Sequence, residues 1–127
     1  MANHQPNRKH ILIIDNNCMN IRLYSVILSR LDVEIHIATN EIEAIEKVVE
    51  FKPDMVIIEI AYPPISNISF LKKIRNKIDE SSTQIVAVSS CVMKGDKDFL
   101  ISSGCNIFIP VPIDTRAFYQ FFEKSLF

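Results

Sequence analysis

Glycine is scarce in this 127-residue chain: two are present, alongside six prolines. Long disordered or linker-like stretches are therefore not expected. Cysteine is also sparse. Cys18, Cys91 and Cys105 lie far apart, which is neither a disulfide framework nor a zinc-ligand spacing. They read as small apolar residues in a reducing cytosol. No charge sign dominates: 14 basic and 15 acidic residues leave a formal net charge of -1. Without a block of like charge, there is no electrostatic surface for nucleic acid or membrane. No apolar run is long enough to span a bilayer. The opening MANHQPNRKH is polar and runs straight into an apolar segment, unlike a signal peptide. Residues 1–9 are expected to be a flexible leader, residues 10–127 a single domain, and the location cytoplasmic.

What is present is an alternation of strand and helix patterns, five times over. Residues 10–15 (HILIID) form a short continuous apolar run ending in an acid, as a strand buried on both faces would. Asn16, Asn17 and Asn20 are helix-start residues. Ile21, Leu23, Val26, Ile27 and Leu28 then recur at helical spacing up to about Leu31. Residues 33–38 alternate and are β-branched, predicting a strand near one edge. Asn40 with Glu43 forms a capping-box pattern for a helix through Phe51, and Pro53 closes that connection. Residues 55–60 are a second continuous strand, with the acid Glu59 near its end. A loop with Pro63 and Pro64 leads to a helix over 68–78, whose Lys72, Lys73, Arg75 and Lys77 suit its C-terminal dipole. Residues 84–89 predict a strand ending in hydroxyls. Gly95 and Gly104 bracket a short helix containing Phe99 and Leu100. Residues 106–110 predict the last strand. Asp114 caps a final helix with Ala117, Phe118, Phe122 and Leu126 on its apolar side.

Short connections between five such units predict an α/β fold with a five-stranded, doubly wound parallel sheet. Its ligand site lies beyond the carboxyl ends of the strands, where the strand order reverses. The residues there are Asp15, Asn16, Glu59, Ser89 and Val111. Two converging carboxylates offer hard oxygen ligands for Mg²⁺, and a serine hydroxyl can bond a phosphoryl oxygen. Singly, each of these residues also reads as a solvated strand boundary.

The segment ILIIDNNCMN resembles the opening of response-regulator receiver domains of two-component systems, an apolar strand followed by Asp-Asp-Asn. KPDMVIIEIAYPP resembles the family's central motif, with Glu59 at the phosphoacceptor aspartate and Pro63 four residues on. IVAVSS resembles the fourth strand, with Ser89 at the phosphoryl-sensing hydroxyl. SSGCNIFIPVPID resembles the last strand, with Phe108 at the switch aromatic and Val111 at the lysine. The likeness runs from about His10 to Leu126. It implies a flavodoxin-like (βα)5 receiver and a cis bond at Val111–Pro112.

The departures imply a degenerate, pseudo-receiver type. Of the Mg²⁺ positions Asp15, Asn16 and Glu59, the second is a neutral amide, so Mg²⁺ binding is expected to be weak or absent. Glu59 is one methylene longer than the nucleophile it replaces. Val111 offers neither charge nor a side-chain donor, and Asn67 stands where the family has glycine. No catalytic residue and no bound cofactor are therefore expected, and the chain reads as no enzyme. The leading function is a phosphorylation-independent interaction module in signal transduction. A still-phosphorylatable regulator, using Glu59 or a serine, is the alternative. A flavodoxin-like enzyme or nucleotide binder would want a glycine-rich loop after Asp15, where NNCMN stands. Two further expectations concern Glu59. Its carboxylate could reach Ser89 as a phosphoryl mimic, and Asp15 and Glu59 should hold a proton to higher pH than isolated carboxyls do. The resemblance puts the output face on the fourth helix, fifth strand and fifth helix. There Tyr119 and Phe121 would meet a protein partner, an output domain following Phe127, or a second copy.

Overall fold

The computed structural model describes residues 8–61, 68–78, 82–90 and 93–127. Five strands alternate with five helices: β1 (Lys9–Ile14), α1 (Cys18–Leu28), β2 (Val33–Ala38), α2 (Glu41–Phe51), β3 (Met55–Ile60), α3 (Ile68–Lys77), β4 (Gln84–Ser89), α4 (Lys94–Ser102), β5 (Ile107–Pro110) and α5 (Thr115–Leu126). The strands form one parallel sheet in the order β2-β1-β3-β4-β5. The alternating segment 33–38 is an edge strand, as its pattern predicts. The chain reverses direction across the sheet between β1 and β3, so the two acid-tipped strands are neighbours.

Each central strand sends alternate residues into two cores. Leu12, Ile14, Val56, Ile58, Ile60, Ile85 and Ala87 pack under α2, α3 and α4 with Val48, Leu71, Ile74 and Leu100. Ile11, Ile13, Met55, Ile57, Val86 and Val88 pack under α1 and α5 with Tyr24, Leu28, Phe118 and Phe122. Burial on both faces is why these strands read as unbroken apolar runs.

Several local expectations need correction. Lys9 belongs to β1, so the sheet starts one residue inside the expected leader. The buried residues of α1 are Tyr24, Ile27 and Leu28, whereas Leu23 and Val26 are exposed. This helix is apolar on too many sides for spacing to single out one face. At α2, Asn40 accepts from the Glu43 N–H at 2.8 Å, but Glu43 Oε1 accepts from Thr39 N–H at 2.7 Å. The return arm of the cap thus goes one residue earlier than a capping box requires. Gly95 lies inside the first turn of α4 rather than before it. Asn106 precedes β5, and its side-chain oxygen accepts from the Ile85 N–H at 2.7 Å. Ala117 is exposed, while Asp114 caps α5 as expected, accepting from Arg116 and Ala117 N–H. Val111–Pro112 is cis. Cys105 is buried, and burial pushes its thiol up to about 11, which suits an inert core residue. Cys18 is instead exposed. Pro63, Pro64, Asn67 and Cys91 lie outside the described residues.

Candidate functional site

Asp15 extends β1 by one residue, its N–H bonded to the Ala38 carbonyl at 3.1 Å. This tie to the sheet leaves its carboxylate buried. One oxygen accepts from the Asn17 N–H at 2.9 Å. Asn17 in turn caps α1, accepting from Met19 and Asn20 N–H. The same turn therefore fixes the acid and starts the helix.

Asn20 sits in the first turn of α1, above the gap between β1 and β3. Its Nδ2 donates to Asp15 Oδ2 at 3.2 Å and to Glu59 Oε2 at 2.9 Å. Two ionised carboxylates can only accept, so the amide nitrogen with its two hydrogens must face them. A neutral NH₂ group bridges the pair where a cation would otherwise neutralise it. Sequence reasoning found Asn20 as a helix-start residue and missed this bridge. The signal was its place one turn after Asp15.

The acids lie in a hollow of about 220 Å³ that also borders Asn16, Thr39, Asn40 and Glu41. Glu41 adds a third carboxylate that the strand-end argument did not reach. No lysine or arginine lines this hollow among the described residues. Glu59 is exposed as a residue, yet burial of its carboxyl and then the charge of Asp15 push it above the ordinary range, partly offset by the Asn20 hydrogen bond. Tyr24, one turn beyond Asn20, is raised by burial and then by the same two acids. Its phenol therefore stays neutral.

A raised carboxyl pKa means that the folded chain holds the Glu59 proton more tightly than the unfolded chain does. Stability from this group is full at low pH and falls as pH rises from the unfolded value through the folded one. Glu59→Gln is therefore expected to raise thermal stability at about pH 7 and to make little difference near pH 4. Because the group is partly solvated, the gain should stay below about 1 kcal/mol. Parallel melts at the two pH values check this. A loss of stability at neutral pH contradicts it.

Ser89 is buried, and its hydroxyl donates to the Ile60 carbonyl at 2.6 Å. Its single hydrogen is thereby committed, so the expected Glu59–Ser89 contact is replaced by Glu59–Asn20 and Ser89–Ile60. Val111 is partly exposed, and its N–H bonds the Ser89 carbonyl at 3.0 Å. The backbone holds it beside the site, but the side chain brings no charge. Phe108 is half-buried against the α2–α4 core.

The Mg²⁺ implied by the resemblance meets a partial fit. Asp15 and Glu59 supply hard oxygens and Asn16 a neutral one, but the Asn20 amide stands between the acids. A cation would have to displace it.

Tyr119 and Phe121 do not share a surface. Tyr119 faces a groove between α1 and α5, where the Arg30 guanidinium lies 5.4 Å from its ring centroid. Phe121 lines a second groove, about 370 Å³, between β5 and α5 and packs edge-on against Phe122.

Residues 11–123 match the family described as the response regulator receiver domain. The polar-differentiation response regulator DivK of Brucella anthropi is 25% identical over 118 residues, covering 93% of this chain and 96% of that protein. A two-component response regulator from Clostridium difficile is similar in structure, with a TM-score of 0.82 and 25% identity over 94% of this chain and 96% of that one. The receiver domain of a Pseudomonas aeruginosa sensor histidine kinase, solved with magnesium in its active-site cleft, shares the fold at a TM-score of 0.76. It is 17% identical, over 94% of this chain and 98% of that one. A match over most of the chain, a sheet that reverses between β1 and β3, and an acidic hollow at that reversal lead to one conclusion: the chain belongs to the response-regulator receiver domain family.

Proposed function

We propose that this receiver domain acts in signal transduction as a protein-interaction module whose state is set without phosphorylation of Glu59. The observation that carries the reading is the Asn20 amide, which donates to both Asp15 and Glu59. A phosphodonor is an anion, and its transfer needs positive charge where negative charge develops. This hollow offers three carboxylates, two of them bridged by a neutral amide, and the position of the family's lysine is Val111. Mg²⁺ binds weakly here, because Asn16 removes a charged ligand and the Asn20 bridge must open first.

The partner surface is the side formed by α4, β5 and α5. Phe99 and Ile101 of α4 are partly exposed, and Phe121 borders the groove beside Phe108. Half-exposed aromatics of this kind serve as interface anchors. Tyr119, on the opposite flank of α5, is left out of this surface.

The test is to incubate the purified chain with acetyl phosphate and Mg²⁺ and to record its intact mass. No added phosphate is expected. A gain of one phosphate that Glu59→Gln abolishes overturns the reading in favour of a working phosphoacceptor.

A further inference from the structure

At the opposite end of β1 from the acidic hollow, about 16 Å away at roughly 3.3 Å per residue, lies a second polar cluster. The parallel register sets His10 beside Glu34 and Leu12 beside His36. His10, Glu34 and His36 therefore share the sheet face that α2 covers, the face of Leu12, Ile14 and Ala38. His10 Nδ1 lies 3.0 Å from His36 Nε2 and 3.7 Å from Glu34 Oε2. All three donor atoms fall within 4.8 Å of one another.

The two imidazole planes differ by 6°, and the ring centroids are 5.2 Å apart. With the nitrogens so much closer than the centroids, the rings meet edge to edge in a common plane. The facing nitrogens, His10 Nδ1 and His36 Nε2, are within hydrogen-bond distance. His36 is packed face-on against Phe51, the last residue of α2, with ring centroids 3.8 Å apart, so one ligand is held in place. The side chains of His10 and Glu34 keep some solvent access, and β2 is an edge strand.

We infer that His10, Glu34 and His36 form a binding site for a zinc-class divalent ion, held by the two facing imidazole nitrogens and the carboxylate. Two imidazole nitrogens and one carboxylate suit Zn²⁺ and its first-row neighbours, and a water completes the tetrahedron. Mg²⁺ and Ca²⁺ prefer all-oxygen sets. With Zn–N at about 2.0–2.1 Å, tetrahedral ligands stand about 3.3 Å apart. The distances of 3.0 and 3.7 Å bracket that value. Loading needs the two rings to tilt out of their common plane, so that both lone pairs turn from each other towards the ion, and Glu34 to close in. The Lys47 ammonium, tied to the Ile37 carbonyl, opposes a cation here, while the charges of Glu34 and Glu50 favour one. The bound ion would clamp β1 to the edge strand, far from the receiver hollow and independent of its chemistry.

The test uses the full chain, stripped of metal, with ZnCl₂ alone as the probe. Calorimetry is expected to give one zinc per chain, and Co²⁺ substitution the visible bands of a tetrahedral ion. His36→Asn and Glu34→Gln should each weaken binding at least about tenfold, while Glu59→Gln leaves it unchanged. Should His36→Asn fold poorly, imidazole NMR of the unaltered chain decides. The chain has three histidines, His4, His10 and His36, and zinc must move the resonances of His10 and His36 together. No stoichiometric binding, affinity that survives both ligand substitutions, or a response confined to His4 overturns the site.

Discussion

Replacing Asn16, Glu59 and Val111 together, as Asn16→Asp, Glu59→Asp and Val111→Lys, is expected to turn an unlabelled chain into one that accepts phosphate from acetyl phosphate in Mg²⁺. The backbone parts are already in position. Asp15 is buried at the end of β1, Ser89 ends β4 on the far side of β3, and the Val111 N–H is bonded to the Ser89 carbonyl. The chemistry alone is missing, and each substitution restores one part of it. Glu59→Asp withdraws the carboxylate by one methylene, and a misplacement of about 1 Å can cost ~10²-fold in such a displacement. Asn16→Asp adds the anionic ligand that a hard cation requires. Val111→Lys supplies a charge-assisted donor worth roughly 1.5–3 kcal/mol. These groups act as a unit, so the single variants should give little or no labelling and the triple variant nearly one phosphate per chain. Intact-mass measurement reads all four proteins directly. A folded triple variant that stays unlabelled places the block at the Asn20 bridge instead, and adding Asn20→Ala then decides between the two explanations.

The strands were legible because burial on both faces leaves unbroken apolar runs, and short connections left one economical topology. Asp15 and Glu59 were legible for the same reason: each is the polar residue at or next to the end of such a run. What joins them was not. Asn20 is an ordinary helix-start residue until the sheet order sets β1 beside β3 and brings Glu59 within 2.9 Å of its amide. The His10–Glu34–His36 cluster depends even more on register, since a slip of one residue would send the β2 pair to the other face. Helix faces failed where apolar residues surround the axis. Leu23 and Val26 of α1 sit among exposed apolar neighbours, and spacing could not rank them below Tyr24. Tyr119 and Phe121 are two residues apart on α5, which sets them on nearly opposite flanks. One face could not hold both. Arg75 looked like a dipole-matched cation, and its larger role appears only when the loops around it are in place.

That role predicts the largest loss of stability from a residue outside the two cores. Arg75, in the last turn of α3, donates through Nε and Nη2 to the Gly104 carbonyl at 3.0 and 2.8 Å, and through Nη1 to the Thr83 carbonyl at 3.1 Å. Nη2 also donates to Asn106 Oδ1, the same oxygen that receives the Ile85 N–H. One guanidinium thus ties α3 to the start of β4 and to the turn that leads into β5. Gly104 holds its carbonyl to the guanidinium at φ 129°, a backbone conformation in which any side chain would be strained. Arg75→Ala removes a planar, charged donor set from three acceptors. Hydrogen bonds to charged groups contribute about 1.5–3 kcal/mol each, but water replaces some of them at this half-buried position. The expected loss is about 2–4 kcal/mol, or roughly 10 °C in Tm. Arg75→Lys should recover little of it, since an ammonium cannot span the same fork. Lys72→Ala, on the exposed side of α3, should change stability by less than about 0.5 kcal/mol. Urea denaturation of the three variants measures the losses. Hydrogen exchange at the Asn106 amide, bonded to the Ile85 carbonyl at 2.8 Å, locates them. If the guanidinium is the clamp, that amide loses protection first in Arg75→Ala, ahead of the β1–β3 amides. A loss under 1 kcal/mol with that protection intact would reduce Arg75 to the dipole-matched surface cation its sequence position suggests.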